Sequence, residues 1–397
     1  MTSSSARRAY RGPALFSYGF RPFFLLGAAW SAFAPLIWLY SYFGHATFFT
    51  VDRDWHVHEM IFGYVGAVIV GFLMTAIPNW TGRAPILGAP LAGLVFIWLA
   101  GRAALLFQMQ LGAAAAIIDS AFLVLFAAAV WREILAGRNW RNAPVALLVT
   151  LLAGANIAFH VAHAFPELAA YAERAALGAI ALLLSLIGGR VVPSFTRNWL
   201  AQRGVRALPA PQGFVDRIAL TAAAVAIGAW IALGDTVWAG AAMVVAGLAC
   251  LVRLARWRGY RTAAEPLVWI LHAGHAWLGA AFVLIGAAIL APEIAPRSAG
   301  IHALTAGAMG VMTLAMMTRA TLGHTGRPLH AGGMTAAIYV CVNLAALTRV
   351  AAPFLGPSQA LLLTLSGALW FAAFFGFVLH FGPMLVASRR VAVHQAA

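Results

Sequence analysis

The stretch His58-Glu-Met-Ile-Phe-Gly-Tyr-Val-Gly-Ala-Val-Ile-Val-Gly-Phe-Leu-Met-Thr-Ala-Ile-Pro78 decides the fold. It opens on a histidine and a single acid, Glu59, and then stays apolar or small apart from Tyr64 and Thr75. A helix rises about 1.5 Å per residue, so a run of roughly 20 such residues crosses a hydrocarbon core of about 30 Å. In a bilayer the run has to be helical, because an open strand leaves backbone groups unpaired.

Outward from it the same pattern repeats. The chain has 397 residues, of which 63% are hydrophobic and 9% charged. A soluble domain carries about 25% charged residues, and this chain cannot cover a globular surface with polar groups. Apolar runs lie at 22–43, 58–78, 87–109, 112–135, 144–165, 173–195, 214–234, 237–257, 266–290, 298–322, 333–352 and 358–382. The expected fold is all-α: a polytopic membrane protein of about twelve transmembrane helices, one transmembrane domain over residues 1–397. The longest connection, Thr196 to Gly213, reads as a linker, and no soluble domain is expected. The first run is too long for a signal-peptide core, so it reads as an uncleaved helix.

The net charge is +15, and every basic residue is Arg. Such a balance suggests nucleic acid until the arginines are placed. They fill alternate short connections: Arg7, Arg8 and Arg11; Arg83; Arg132, Arg138 and Arg141; Arg197, Arg203, Arg206 and Arg217; Arg253, Arg256, Arg258 and Arg261; Arg327; Arg389 and Arg390. The opposite connections hold only Arg53, Arg174 and Arg297, each near an acid. This is the positive-inside pattern and predicts both termini in the cytoplasm of an inner-membrane protein. Nucleic acid is not an expected partner; the lipid bilayer is.

A weak repeat links three runs. His58 to Thr81-Gly82-Arg83 has the spacing of His302 to Thr325-Gly326-Arg327, which puts Gly63 and Gly66 on Gly307 and Gly310. The sixth run aligns without gaps from Glu173 to Thr196, with Gly178 on Gly63. Helices two, six and ten would then be equivalent, giving three arcs of four helices with small residues facing inward.

The twelve histidines fall into two depth layers. Near the outer, periplasmic side are His56 and His58, His160 and His163 at the end of the fifth run, and His302. Near the inner side are His272, His275, His324, His330 and His380; His45 and His394 read as surface residues. His160 and His163, like His272 and His275, are spaced to share a helix face. Imidazole is a common ligand for copper, zinc and haem iron. A single intramembrane His is as readily a hydrogen-bonded packing residue, but two spaced pairs and a His-x-His favour metal. Glu59 beside His58 is the only obvious acidic proton relay there. Arg102 and Asp119 lie at similar depth and read as an ion pair. Arg190 and Arg319 either meet an anionic group such as a haem propionate or snorkel to the headgroups. Met309, Met312, Met316 and Met317 read as packing. Cys250 and Cys341 form no metal or disulfide pattern, and no phosphate loop or nucleophile elbow is present.

Several stretches carry a family resemblance. They are Phe16-Ser-Tyr-Gly-Phe-Arg-Pro-Phe-Phe24, Trp55-His-Val-His-Glu-Met60, Gly71-Phe-Leu-Met-Thr-Ala-Ile-Pro-Asn-Trp-Thr-Gly82, Gly189-Arg-Val-Val-Pro-Ser-Phe-Thr-Arg-Asn-Trp199 and Met316-Met-Thr-Arg-Ala-Thr-Leu-Gly-His-Thr-Gly-Arg-Pro328. Through them the chain resembles the NnrS family of bacterial membrane proteins. The resemblance implies haem b and copper, and a role in the nitric oxide response of denitrifying bacteria and pathogens under nitrosative stress. It carries no residue-level ligand assignment. From depth and spacing, the metal candidates are His56, His58, His160, His163 and His302, and the cofactor candidates His272, His275, Arg190 and Arg319. The architecture is also similar to the catalytic subunit of haem–copper oxidases, although the paired adjacent His of their copper site is missing. The expected function is nitric oxide response or detoxification, as a membrane haem–copper oxidoreductase if turnover occurs, with an electron donor the sequence does not name. The alternatives are a twelve-helix secondary transporter for metal or haem, and a non-catalytic protein that handles nitric oxide or metal.

Overall fold

The computed structural model describes residues 9–49 and 51–389. Arg7, Arg8, Arg390 and His394 lie outside the described residues. Among the described residues there is no strand, and twelve helices are long and apolar enough to cross a membrane. They are α1 (Phe20–Tyr42), α2 (Arg53–Thr81), α3 (Gly88–Leu106), α4 (Ala113–Ala136), α5 (Trp140–Val161), α6 (Pro166–Ala201), α7 (Phe214–Leu233), α8 (Val237–Arg261), α9 (Pro266–Leu290), α10 (Arg297–His324), α11 (Gly333–Phe354) and α12 (Gly356–Val386). The chain is therefore an all-α, multi-pass membrane protein, as its sequence indicates.

Two helix ends differ from the expected spans in ways that matter for the histidines. α2 starts at Arg53, ahead of the apolar run, because Asp52 caps it: its Oδ1 accepts from the Trp55 N–H at 2.8 Å. α5 stops at Val161, and His163 falls in the turn beyond it, exposed. The cause is Pro166, which biases Phe165 away from the helical region and ends the helix early. His160 and His163 therefore do not share a helix face.

The chain divides into two compact units. The first runs up to His160 and takes in Met316–His330 and the chain from Phe374. In it α2 is the central helix, with 78% of its apolar window buried. Gly71 lets α1 approach: a Cβ there would lie 3.0 Å from Phe23 and Phe24. Phe23, Phe24, Phe62, Tyr64 and Phe122 are fully buried around it. The second unit is Val161–Ala315 with Ala331–Ala373. Its tightest pair is α8 on α9. A Cβ on Gly247 would lie 2.7 Å from the Gly279 carbonyl, and one on Gly286 would lie 2.6 Å from the Gly240 carbonyl. Lipid offers no hydrophobic drive between helices, so small residues that allow such close approach hold the pair.

Three of the helices contain a π-helical segment: Glu59–Val65 in α2, Leu184–Gly188 in α6 and Ala303–Met309 in α10. These are the three helices of the sequence repeat. Between α2 and α10 the match holds in register. The spacing that pairs His58 with His302 also pairs the helix starts Arg53 and Arg297, the two π segments, and the terminal glycines Gly82 and Gly326. Those glycines have φ of +71° and +75°, the left-handed end that glycine favours. In α6 the register fails. The alignment of Gly178 with Gly63 places a π segment near Glu173, and it lies further along, at Leu184–Gly188.

Candidate metal centre

In the first unit four successive helices bring their polar residues to one end. His58 and Glu59 lie in the opening turns of α2, Arg102 near the end of α3, Asp119 in the second turn of α4, and Asn156 and His160 near the end of α5. Up-and-down neighbours put helix starts beside helix ends, so these residues meet at one depth. Asn156 and His160 are four apart and share a face of α5. His58, Glu59, Arg102, Asp119 and Asn156 are all buried, and His160 is half-buried.

The bonds form one network. Arg102 Nη1 donates to both Glu59 oxygens, at 3.1 and 3.0 Å, and Nη2 donates to Asp119 Oδ1. The ion pair expected between Arg102 and Asp119 is thus present, with Glu59 as a third member. Asp119 Oδ2 remains turned the other way. It receives the Asn156 Nδ2 at 2.9 Å and faces His160 Nε2 at 3.0 Å and His58 Nε2 at 3.1 Å. His58 Nε2 also lies 2.8 Å from Asn156 Oδ1, and its Nδ1 lies 3.3 Å from Glu59 Oε1. The rings of Phe62 and Phe159 close over His58 at 5.0 and 5.5 Å between centroids.

This arrangement asks for a positive centre. One donor atom each from His58, Asp119 and His160 lies within 4.8 Å of the other two, and Asn156 Oδ1 lies against His58 Nε2. With the proton on Nδ1, each imidazole offers its Nε2 lone pair to a metal ion; with the proton on Nε2, it donates to the facing oxygens. Charge points the same way, since two carboxylates face one guanidinium in a water-excluded interior. Two imidazoles and one monodentate carboxylate are a donor set for copper or non-haem iron that leaves positions open.

Of the five expected metal residues, His56, His58 and His160 belong to the first unit, and His163 and His302 to the second. His58 and His160 meet, with ring centroids 4.9 Å apart. His56 points elsewhere and stacks on Trp38 at 5.3 Å, as alternate residues of a helix must diverge. His163 is exposed in its turn, and His302, in the second unit, donates from Nδ1 to the Ser298 carbonyl at 2.8 Å. Sequence reasoning misses two members. It gives Asp119 wholly to Arg102, although a carboxylate has a second oxygen. It passes over Asn156, yet a buried amide one turn before His160 in an apolar helix is itself a signal.

The second unit holds a different cluster. His272 Nε2 lies 2.8 Å from Thr196 Oγ1, and that hydroxyl donates to the Val192 carbonyl at 2.8 Å. With the hydroxyl proton on the Val192 carbonyl, His272 donates through Nε2; its Nδ1 has no hydrogen-bond partner. His275 is 1% exposed, and neither ring nitrogen has a hydrogen-bond partner. Trp257 stands edge-on to it at 4.7 Å, and Gly188 lies against it, since a Cβ there would be 2.6 Å from Cε1. Arg253 is close by and paired with Asp216 at 2.9 Å. Arg190, in the second unit, and Arg319, in the first, are half-buried. His324, in the first unit, packs against Tyr18 and Phe20.

A family model described as NnrS protein matches residues 14–389, nearly the whole chain. No curated protein matches it.

Proposed function

This chain belongs to the NnrS family and is a multi-pass membrane protein of the nitric oxide response; from that premise we propose that it is a metal protein of the bacterial inner membrane that binds nitric oxide. Copper is held by His58, Asp119 and His160. Haem b is the second group, with His275 as its ligand and His272 beside it. The observation that carries this reading is the convergence of one donor atom each from His58, Asp119 and His160 within 4.8 Å inside a buried cluster.

Different atoms of this chain support each group. The donor set in the first unit suits copper. In the second unit, His275 has two buried nitrogens without partners. Leaving such a group unsatisfied costs about 1–3 kcal/mol, and His275, as the residue that would hold haem iron, would be relieved of that cost at one nitrogen. When bound, the metals supply one-electron chemistry at a small diatomic ligand. The protein residues do the remaining work. Phe62 and Phe159 keep water from His58. Arg102 holds Asp119 by Oδ1, so the carboxylate would offer only Oδ2 to a metal. A small apolar gas reaches such a centre through lipid without an aqueous channel, which suits a site near the periplasmic end of the helices.

The test is metal analysis and an absorption spectrum of the purified protein. Copper and a Soret band are expected together. His58→Ala and His160→Ala are expected to lose copper and keep the Soret band, and His275→Ala the reverse. A preparation with neither iron nor copper, or copper retained in full by the His58→Ala/His160→Ala double variant, overturns the reading.

A further inference from the structure

The sequence offers Glu59 as a proton relay, but its geometry supports a second role. We propose that Glu59, clasped by Arg102, is the positioning residue that fixes His58 with its proton on Nδ1 and so presents the Nε2 lone pair to the metal. This rests on the reading of His58, Asp119 and His160 as a metal centre.

The imidazole of His58 spans two environments. At one edge Nδ1 faces the Glu59 carboxylate at 3.3 Å; at the other, Nε2 faces Asn156 Oδ1 and Asp119 Oδ2 at 2.8 and 3.1 Å. Oxygens face both nitrogens, so an N–H is favoured at each edge; were a metal to replace the proton at Nε2, the N–H left on Nδ1 would still have the Glu59 carboxylate to donate to. With the proton placed on Nδ1, the Nε2 lone pair is aimed among the other donors. Histidine ligands commonly give their second N–H to a carboxylate, which fixes the tautomer and raises the basicity of the ligating nitrogen.

The surrounding chain is built to keep Glu59 in that place. Glu59 is fully buried, and Arg102 Nη1 holds both its oxygens. Glu59 opens the π segment Glu59–Val65. A π turn holds more residues than an α turn, so successive side chains diverge by a smaller angle. That is what allows His58 and Glu59, adjacent in sequence, to serve one site. Gly63 sits a turn on in the same segment, and a Cβ there would run into Arg102 Nη1 and Glu59 Oε2. The Trp98 indole donates to the Gly63 carbonyl at 3.0 Å and pins the wide turn. The glycine, the π turn, the indole and the arginine thus all serve the placement of one carboxylate.

The experiment uses the full-length protein in detergent, stripped of copper and titrated with Cu(II) alone. Glu59→Gln keeps the shape but weakens the acceptor and leaves the Arg102 charge in place. In Glu59→Gln Arg102 stays paired with Asp119; Glu59→Gln/Arg102→Gln removes the clasp as well and frees Asp119 Oδ1. Both variants are expected to keep their fold by circular dichroism and to bind Cu(II) roughly 10–100-fold more weakly, with altered nitrogen hyperfine structure in the Cu(II) EPR spectrum. Wild-type affinity and an unchanged spectrum in the folded double variant overturn the proposal, even if thermal stability has shifted. The reading beneath it fails separately: then His58→Ala binds Cu(II) as the wild type does. Loss of Cu(II) in His58→Ala, with none in the Glu59 variants, sinks the positioning role and leaves the metal centre standing.

Discussion

The two units each bury a histidine pair beside an arginine–aspartate pair, and the two sets are built to opposite plans. In the first, every imidazole nitrogen of His58 faces an oxygen, and carboxylates outnumber guanidinium. In the second, Asp216 meets Arg253 at 2.9 Å and Arg256 at 4.0 Å, while His275 has no partner at either nitrogen. An anion-rich cluster suits a small, highly charged ion. A neutral imidazole in an apolar setting suits a large, weakly charged group that supplies its own iron. One residue type thus serves two ligand classes, and its neighbours decide which.

The largest expected effect breaks the first cluster at its guanidinium. Arg102→Met leaves Glu59 and Asp119 buried together without compensation, and breaking a buried pair in this way costs about 3–5 kcal/mol. Arg253→Met is expected to cost less, because Asp216 keeps the Gly213 N–H at 3.0 Å as its helix cap. Thermal unfolding in detergent measures both. Equal losses would mean that the excess of carboxylate in the first unit has no energetic weight.

The fold was legible because a bilayer leaves few choices. Charge-poor runs of sufficient length have to be helices, and the Arg-rich connections mark their ends. The pairing of α2 with α10 was also visible, since Gly63, Gly66 and Gly82 recur as Gly307, Gly310 and Gly326. The π segments were not, because a wide turn has no residue signature of its own. The site was half legible. His58 and His160 stood out as histidines in apolar runs, but depth alone cannot say which way a side chain faces. His56 and His58 lie at nearly one depth, and only one reaches the centre. Asn156 belongs to the network through the face it shares with His160, a relation between two residues that a list of histidines overlooks.

His275 sharpens the comparison from the other side. His275→Phe removes two unsatisfied nitrogens and keeps much of the ring volume. The haem-free protein is therefore expected to be as stable as the wild type, or more so by about 1 kcal/mol, while the Soret band is lost. His58→Phe, which strips Asp119 and Asn156 of a partner, is expected to destabilise. A clear loss of stability in haem-free His275→Phe would show that His275 serves packing and that the two clusters differ less than their hydrogen bonds suggest.

A glycine pair tests the clasp around Glu59. Gly63→Ala drives a methyl into the Arg102–Glu59 contact and is expected to cost about 1–3 kcal/mol, as overpacking does. Gly93→Ala, on α3 with nothing within 4 Å of a new Cβ, is expected to stabilise by roughly 0.5–1 kcal/mol through helix propensity. Copper content should fall in the first variant and hold in the second. Unaltered copper in Gly63→Ala would mean that the clasp can move without consequence for His58.

The smallest effect tests the tautomer of the second cluster. Thr196 Oγ1 gives its proton to the Val192 carbonyl, so it receives one from His272 Nε2, and the bare nitrogen of His272 is Nδ1. Thr196→Val preserves shape and removes the acceptor, at a cost of about 1 kcal/mol in thermal unfolding. It also frees His272 to carry its proton on either nitrogen. If the Nδ1 lone pair contributes to the cofactor site beside His275, the Soret position should shift in this variant, with haem content little changed. If the spectrum does not move, Thr196 and His272 only brace α6 against α9, and His275 alone meets the cofactor.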